Sequence, residues 1–371
     1  MKLSIERAAL LRSLNHVQSV VERRNTIPIL SNVLLKAEDG ALSLATTDMD
    51  LEINESVAAN VSEAGATTAP AHTLHDIVRK LPDGSDVELS LNAEGTQMIV
   101  KSGRSQFKLS CLPTTDFPEI GTGDLPTSFA LPAADLRALI DRTKFAMSTE
   151  ETRYYLNGIY LHQAEQGGVA VLRAVATDGH RLARFEMPLP EGAAGMPGII
   201  IPRKAIGELR KLSDDAADSI VITLSENKIR FAFDHIILTS KLIDGTFPDY
   251  QRVIPEGNDK IVEVDAKLLT SAVDRVSTIS DGKSRAIKIA MNGKLMTISA
   301  SSAEAGSATE EVEVNGDTDI EIGFNAKYLL DITSQIEGEG CRFTLADPAS
   351  PTIIQDNSDT SALYVLMPLR V

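Results

Sequence analysis

Residues able to do chemistry are few in this chain, and the densest group sits at one hairpin signal. Thr177-Asp178-Gly179-His180-Arg181 places a carboxylate, an imidazole and a guanidinium within four positions. A hydrolase using Asp178 and His180 is the catalytic reading of that string. Two residues flanking a tight turn at i and i+2 need not aim at one substrate atom, however, and no Ser or Cys nucleophile motif accompanies them. His72-x-x-His75 has metal-like spacing but no Cys or carboxylate partners at ligand distance in sequence, so both read as solvated helix residues. Gly282-Lys283-Ser284 resembles the end of a nucleotide loop, yet the glycine required five residues earlier is Ser277. No catalytic residues, cofactor or metal are expected. The pair Asp178-Gly179 instead predicts a two-residue hairpin turn with positive φ at both central positions, between a β-prone run at 169–176 and an alternating run at 180–187.

The frame that must hold this hairpin is a repeat. Residues 3–21 alternate (Leu3, Ile5) and then switch to helical spacing (Leu10, Leu14, Val17, Val21). The switch returns as Phe129, Leu131, Leu136, Ile140, Thr143, and again as Val262, Val264, Leu269, Val273, Val276; the copies superpose at offsets of 126 and 259. A second helix is predicted in each copy, at 70–81, 202–212 and 325–332, the first two opening on Pro70 and Pro202. Alternating runs bounded by Gly, Asn, Asp and Ser fill the rest, which is β-meander patterning. Proline landmarks (Pro118, Pro248, Pro368) close each copy, so domains are expected at 1–125, 126–255 and 256–371. The predicted class is α+β: three repeated domains, each with two amphipathic helices packed on antiparallel β-sheet.

Bulk properties narrow the setting. A chain of 371 residues exceeds one core, and 43% hydrophobic with 24% charged residues is ordinary globular composition. The N-terminus lacks an apolar signal segment, no apolar run approaches a membrane span, and Cys111 and Cys341 read as reduced structural thiols; a cytoplasmic location follows as an expectation. A net charge of −16 argues against nucleic acid only if it is spread evenly. It is not. The windows 6–21, 71–81, 133–145, 203–212, 265–276 and 326–336 carry 14 Lys and Arg against 8 Asp and Glu, a net of +6, leaving −22 on the remainder. On a helical wheel His16, Arg142 and Arg275 share one position opposite the apolar stripe, and Arg79/Lys80 matches Arg210/Lys211. The expectation is a basic helical surface on an acidic body, able to tolerate phosphate on one side and repel it elsewhere.

Several strings, in this order, then have a family look: Arg24 before Thr26-Ile-Pro-Ile-Leu30, Arg153-Tyr-Tyr-Leu-Asn157, Thr177-Asp-Gly-His-Arg-Leu-Ala183, Phe247-Pro-Asp-Tyr-Gln-Arg-Val253, Gly323-Phe-Asn325 and Tyr364-Val-Leu-Met-Pro-Leu-Arg370. Together they resemble the bacterial sliding clamp family, the beta subunit of DNA polymerase III, over the whole chain. The resemblance implies clamp-type domains assembled as a head-to-tail homodimeric ring around duplex DNA, bound without sequence preference. It also implies partnership with the polymerase III catalytic subunit, the clamp loader and other proteins carrying a short clamp-binding peptide, and no membrane. By matching positions, the implied peptide pocket is Leu156, Thr177, Gly179, His180, Arg181, Leu182, Pro248, Arg252, Val253, Tyr328, Val365, Met367 and Pro368, an apolar groove with Arg and His on its polar rim. The implied DNA contacts are Arg24, Arg153, Tyr154 and Tyr155, the tyrosines stacking weakly or packing on the sheet. The implied dimer seam sets the strand containing Arg104, Phe107 and Leu109 against Thr278 and Ile279 of the partner, with Glu304, Glu310 and Glu311 on the facing edge. Pro348 and Pro351, flanking Ala349-Ser350, depart from the family pattern near the pocket and bear on peptide preference. The rival outside catalysis is a repeat scaffold that never meets DNA, which charge reversal on the helix faces would leave undisturbed.

Overall fold

The computed structural model describes residues 1–121, 123–216, 218–280 and 285–370; the Gly282-Lys283-Ser284 string lies outside them. The first copy runs β1 (Lys2–Glu6), α1 (Arg7–Val17), β2 (Asn32–Glu38), β3 (Ala41–Thr47), β4 (Leu51–Ala58), β5 (Asn60–Glu63) and β6 (Gly65–Pro70). It continues with α2 (Ala71–Lys80), β7 (Asp86–Leu91), β8 (Gln97–Ser102) and β9 (Ser105–Ser110). The second copy is β10 (Thr127–Pro132), α3 (Ala133–Asp141), β11 (Gly158–Gln166), β12 (Val169–Thr177), β13 (Arg181–Pro188) and β14 (Ile199–Pro202). It closes with α4 (Arg203–Leu212), β15 (Ser219–Leu224), β16 (Lys228–Phe233) and β17 (Ile236–Lys241). The third is β18 (Lys260–Asp265), α5 (Ala266–Ser277), β19 (Ala286–Asn292), β20 (Leu295–Ser302), β21 (Gly306–Asn315) and β22 (Ile320–Asn325). It ends in α6 (Ala326–Thr333), β23 (Gly340–Leu345), β24 (Thr352–Asp356) and β25 (Ala362–Leu366). The α+β repeat is therefore present three times, with β5 an extra strand in the first copy.

Local sequence explains the elements. In α1 the stripe Leu10, Leu14 and Val17 is fully buried, and Leu269, Val273 and Val276 repeat this in α5. Asp265 caps α5 by accepting from Leu268 N at 2.8 Å, and Asn325 caps α6 by accepting from Tyr328 N at 3.3 Å. Pro70 stands at the N-cap of α2, where its missing N–H costs nothing.

Two compact units emerge, and they do not follow the repeat. The first comprises 1–137, 190–193 and 204–242; the second comprises 138–189, 194–203 and 243–371. Strand pairing is the reason. The first unit holds a five-stranded sheet, β5-β1-β7-β8-β9, and an eight-stranded sheet, β10-β15-β16-β17-β4-β3-β2-β6. There β17 of the second copy pairs antiparallel with β4 of the first, Ile236 opposite Glu55 and Ser240 opposite Leu51. The second unit holds a twelve-stranded sheet, β14-β11-β12-β13-β25-β24-β23-β18-β21-β20-β19-β22. There β25 of the third copy pairs with β13 of the second, Leu366 opposite Arg181 and Ala362 opposite Phe185. Each junction between consecutive copies is thus a continuous antiparallel ladder, which satisfies the edges both copies would otherwise expose.

Candidate functional site

The hairpin between β12 and β13 departs from expectation. Gly179 has φ +86°, but Asp178 is not in the positive region, so the two-residue turn is not formed. Thr177 pairs with Leu182, leaving four residues in the loop. The Asp178 carboxylate closes it, Oδ1 accepting from His180 N at 2.9 Å and Arg181 N at 3.0 Å. Asp48 closes the loop between β3 and β4 alike, accepting from Asp50 N and Leu51 N, with Met49 at φ +79° in the place of glycine. Asp178 is therefore committed to the turn and to Arg181 Nε at 3.1 Å, not to the His180 ring. The hydrolase arrangement is absent.

Arg181 also needs correction. It does not sit on a polar rim: it is buried, donating to Asp178, to Asp331 at 2.5 Å and to the Phe145 carbonyl at 2.7 Å. Its guanidinium lies over the rings of Tyr328 (4.3 Å) and Phe145 (5.2 Å). With each of its three nitrogens bonded and two rings against it, it is a strut that ties the hairpin to α6. His180 stacks on Tyr328 with ring centroids 6.1 Å apart and remains exposed. A cleft of about 480 Å³ opens beside them, lined also by Glu150, Arg203 and Lys327.

An apolar cluster includes residues of both strands of the hairpin. Leu156, Leu182 and Val365 belong to one buried cluster with Val175, Ile200, Phe247, Tyr250 and Leu363. Met367 donates its backbone N–H to the His180 carbonyl at 3.0 Å and leaves its side chain 39% exposed. Val253 is exposed on the short helical turn Tyr250–Val253, with Pro248 and Arg252, the latter ion-paired to Asp249 at 2.8 Å. Pro368 follows Met367 and is half-buried. Val253, Met367 and His180 stay exposed, while Leu156, Leu182 and Val365 are buried in the cluster. Phe247 and Tyr250, which belong to that cluster with ring centroids 6.4 Å apart, carried no role in the sequence reading.

Among the residues expected at DNA, Tyr154 and Tyr155 divide the two alternatives. Tyr155 packs against the buried cluster, whereas Tyr154 is 52% exposed and meets it edge-on at 5.8 Å. Arg153 is held by Glu150 through two bonds (2.9 and 2.7 Å) and donates to the Asp178 carbonyl at 3.1 Å. Gly179 leaves room for it, since a Cβ there would lie 2.7 Å from Arg153 Nη1. Arg24 is exposed and has no ion pair among the described residues.

The basic helical faces are smaller than the wheel suggested. His16 and Arg142 are only 10% and 11% exposed and are spent on carboxylates, and Arg275 chelates Glu310. Arg7 is likewise consumed by Asp83 and two carbonyls. Arg12, Arg79, Lys80, Arg203, Lys211, Lys267, Arg275 and Lys327 are exposed, and of these Arg79, Lys211 and Arg275 are ion-paired. His72 and His75 are not solvated either: they tie α2 to the segment of α1 and its end, bonding the Val21 carbonyl (2.9 Å) and Asn15 (2.7 Å). Cys341 is buried, which pushes its thiol up to about 12, and Cys111 is also a free thiol.

Two strand edges are left open. Among the described residues β9 pairs with β8 on one side and with no strand on the other, and it carries Phe107, Lys108 and, just before it, Arg104, all exposed; Leu109 is buried. β21 pairs with β20 over residues 306–313 but meets β18 only at Val314 and Asn315, leaving 306–311 with a free side. Glu304, Thr278 and Glu311 are exposed near this end, and Ile279 is half-buried.

These features define a class: an α+β repeat protein whose copies are joined by strand pairing and whose end copies leave strand edges open. Comparison with known proteins specifies it. Three family models match in order, the N-terminal, central and C-terminal domains of the DNA polymerase III beta subunit, over residues 1–121, 130–249 and 251–370. The beta sliding clamp of Caulobacter vibrioides is 55% identical over 372 residues, covering 100% of both chains, and that of Escherichia coli K12 is 39% identical over 373 residues with the same coverage. A crystal structure of the Caulobacter crescentus beta sliding clamp superposes with a TM-score of 0.98 at 55% identity, covering 100% of this chain and 99% of that one. A Bartonella birtlesii sliding clamp bound to griselimycin gives 0.97 at 50% identity, with both chains fully covered. The chain belongs to the DNA polymerase III beta subunit family, the sliding clamps. It is a non-catalytic accessory subunit of DNA replication.

Proposed function

We propose that this chain is one half of a closed head-to-tail homodimer that encircles duplex DNA and tethers the replicative polymerase, after opening by a clamp loader. The observation that carries the reading is the pair of open edges. In the repeat, β9 corresponds to β17 and β25, and β21 corresponds to β4 and β13. Consecutive copies are joined twice by those very pairings. A second copy of the chain offers β9 to β21 and continues the pattern, with Arg104 and Lys108 facing Glu304, Glu310 and Glu311, and with Phe107 and Leu109 against Thr278 and Ile279. The domain limits 1–125, 126–255 and 256–371 are the units of that pattern.

The exposed cations, with Arg24, Arg153 and Tyr154, meet phosphate loosely, because a slider that gripped would stall. The groove around Leu156, Leu182, Val253, Val365 and Met367 takes the apolar anchors of partner peptides, with His180 and Arg252 at its rim. No helix among the described residues is long and apolar enough to cross a membrane, and free thiols suit a reducing cytoplasm. The test is topological. Loaded with clamp loader and ATP, the protein stays on nicked circular duplex and leaves once the circle is cut. Equal loss from both forms defeats the ring.

A further inference from the structure

One position in the repeat is complete in two copies and half-complete in the third. In the first copy His16 Nδ1 meets Glu55 on β4 of its own copy, and Nε2 meets Asp215, which follows α4 of the next copy, each at 2.8 Å. In the second copy Arg142 lies over the ring of Phe185 on its own β13 at 5.5 Å. It also reaches two carboxylates of the next copy, Glu337 after α6 at 3.1 Å and Asp359 at 2.7 Å. In the third copy Arg275 holds the own-copy partner, Glu310 on β21, at 3.0 and 2.5 Å. Among the described residues it is paired with no other carboxylate.

The missing half has a fixed address in the repeat. Asp215 stands twelve residues beyond the first residue of α4, and Asp83 stands twelve beyond the first residue of α2. The Asp83 side chain is 94% exposed and, among the described residues, bonds only Arg7 Nη1, at 2.6 Å, through one of its two oxygens. A guanidinium chelated by one carboxylate still has donors to spare, and Asp83 has an oxygen to receive them.

We propose that Asp83 of one copy of this chain receives Arg275 of a second copy, completing the bridge a third time across the subunit boundary. This rests on the head-to-tail dimer reading. The pair recognises a second copy and no other partner, because its geometry is the one His16 and Arg142 already use within the chain. Arg275 thereby becomes a cation held between its own β21 edge and the partner's α2 loop, locking the register of the β9–β21 ladder.

The experiment is a charge-swap cycle on the full-length chain, with dimer dissociation followed by sedimentation across a dilution series. Asp83→Lys and Arg275→Glu each weaken the dimer about tenfold at low salt, and Arg275→Gln, a milder change, about threefold. The double swap Asp83→Lys with Arg275→Glu returns to within about threefold of the unaltered chain, and the recovery shrinks as salt is raised. A dimeric parent whose double swap is as weak as the two single effects combined overturns the pairing and leaves the dimer standing. A parent that stays monomeric at every concentration removes the dimer reading and this pairing with it.

Discussion

His16 and Arg142 occupy the same place in consecutive copies, and the junctions they hold differ in one chemical respect. Around His16, both ring nitrogens face carboxylates, and both can donate only if the ring is the imidazolium. Burial opposes that charge, but the bonds and charges of Glu55 and Asp215 outweigh it and raise the pKa above the ordinary value of about 6.5. Glu55 is buried and steadied by Ser13 at 2.7 Å; Asp215 lies at the surface, beyond the Lys211–Glu208 pair at 2.9 Å and the Arg210–Asp214 pair at 2.5 Å. Around Arg142 the cation is permanent. One junction therefore carries a titratable cation and the other a permanent one, although the strand ladders beneath them are alike.

The sign follows from linkage. A pKa raised on folding means that the folded form holds the proton more tightly, so the stabilisation is fully present below the unfolded value and fades as pH rises through the folded one. The His16 junction weakens as pH rises through the raised value, whereas the Arg142 junction keeps its cation throughout. It does not fall apart, because Lys204 still binds Glu22 (2.5 Å) and Asp48 (2.6 Å), Ser19 bonds Glu208, and β17 stays paired with β4.

Three substitutions sharpen or break the contrast. The largest effect is expected from Arg142→Ala, which strands Asp359 and Glu337 and removes the contact with Phe185. Local opening around 337–359, read by hydrogen exchange, becomes easier by about 2 kcal/mol at any pH from 6 to 9. Unaltered protection there would mean the strand ladder alone holds the junction. Next, His16→Ala speeds exchange in 204–212 by about 1 kcal/mol at pH 6 and by almost nothing at pH 9. An equal effect at both ends of the range would show that the ring acts neutral, through packing. The smallest change is the exchange of types: His16→Arg flattens the pH response of 204–212, while Arg142→His gives the second junction a response of under about 1 kcal/mol. A response that survives His16→Arg has its origin in another group.

Much of this was legible before any coordinates. Apolar periodicity picked out α1, α3 and α5 and their buried stripes because burial repeats every turn of a helix whatever lies beyond it. The Pro-led second helices and the three-copy spacing were equally local. Errors arose where a side chain had more than one plausible partner. Asp178-Gly179 reads as a two-residue turn until the carboxylate is seen to close a wider loop. Arg181 and His180 look alike as rim residues, yet one is buried against two rings and the other is open to solvent.

The sequence by itself determined the elements and their threefold recurrence, since each depends on neighbours a few residues away. Tertiary structure decided which charges are spent. His16 finds Asp215 across 199 residues and Arg142 finds Asp359 across 217, and both meetings require a strand of one copy to pair with a strand of the next. A helical wheel counts those side chains as free cations. Only the pairing of distant edges brings the carboxylates within reach, and Coulomb attraction at under 3 Å in a partly buried site then claims them.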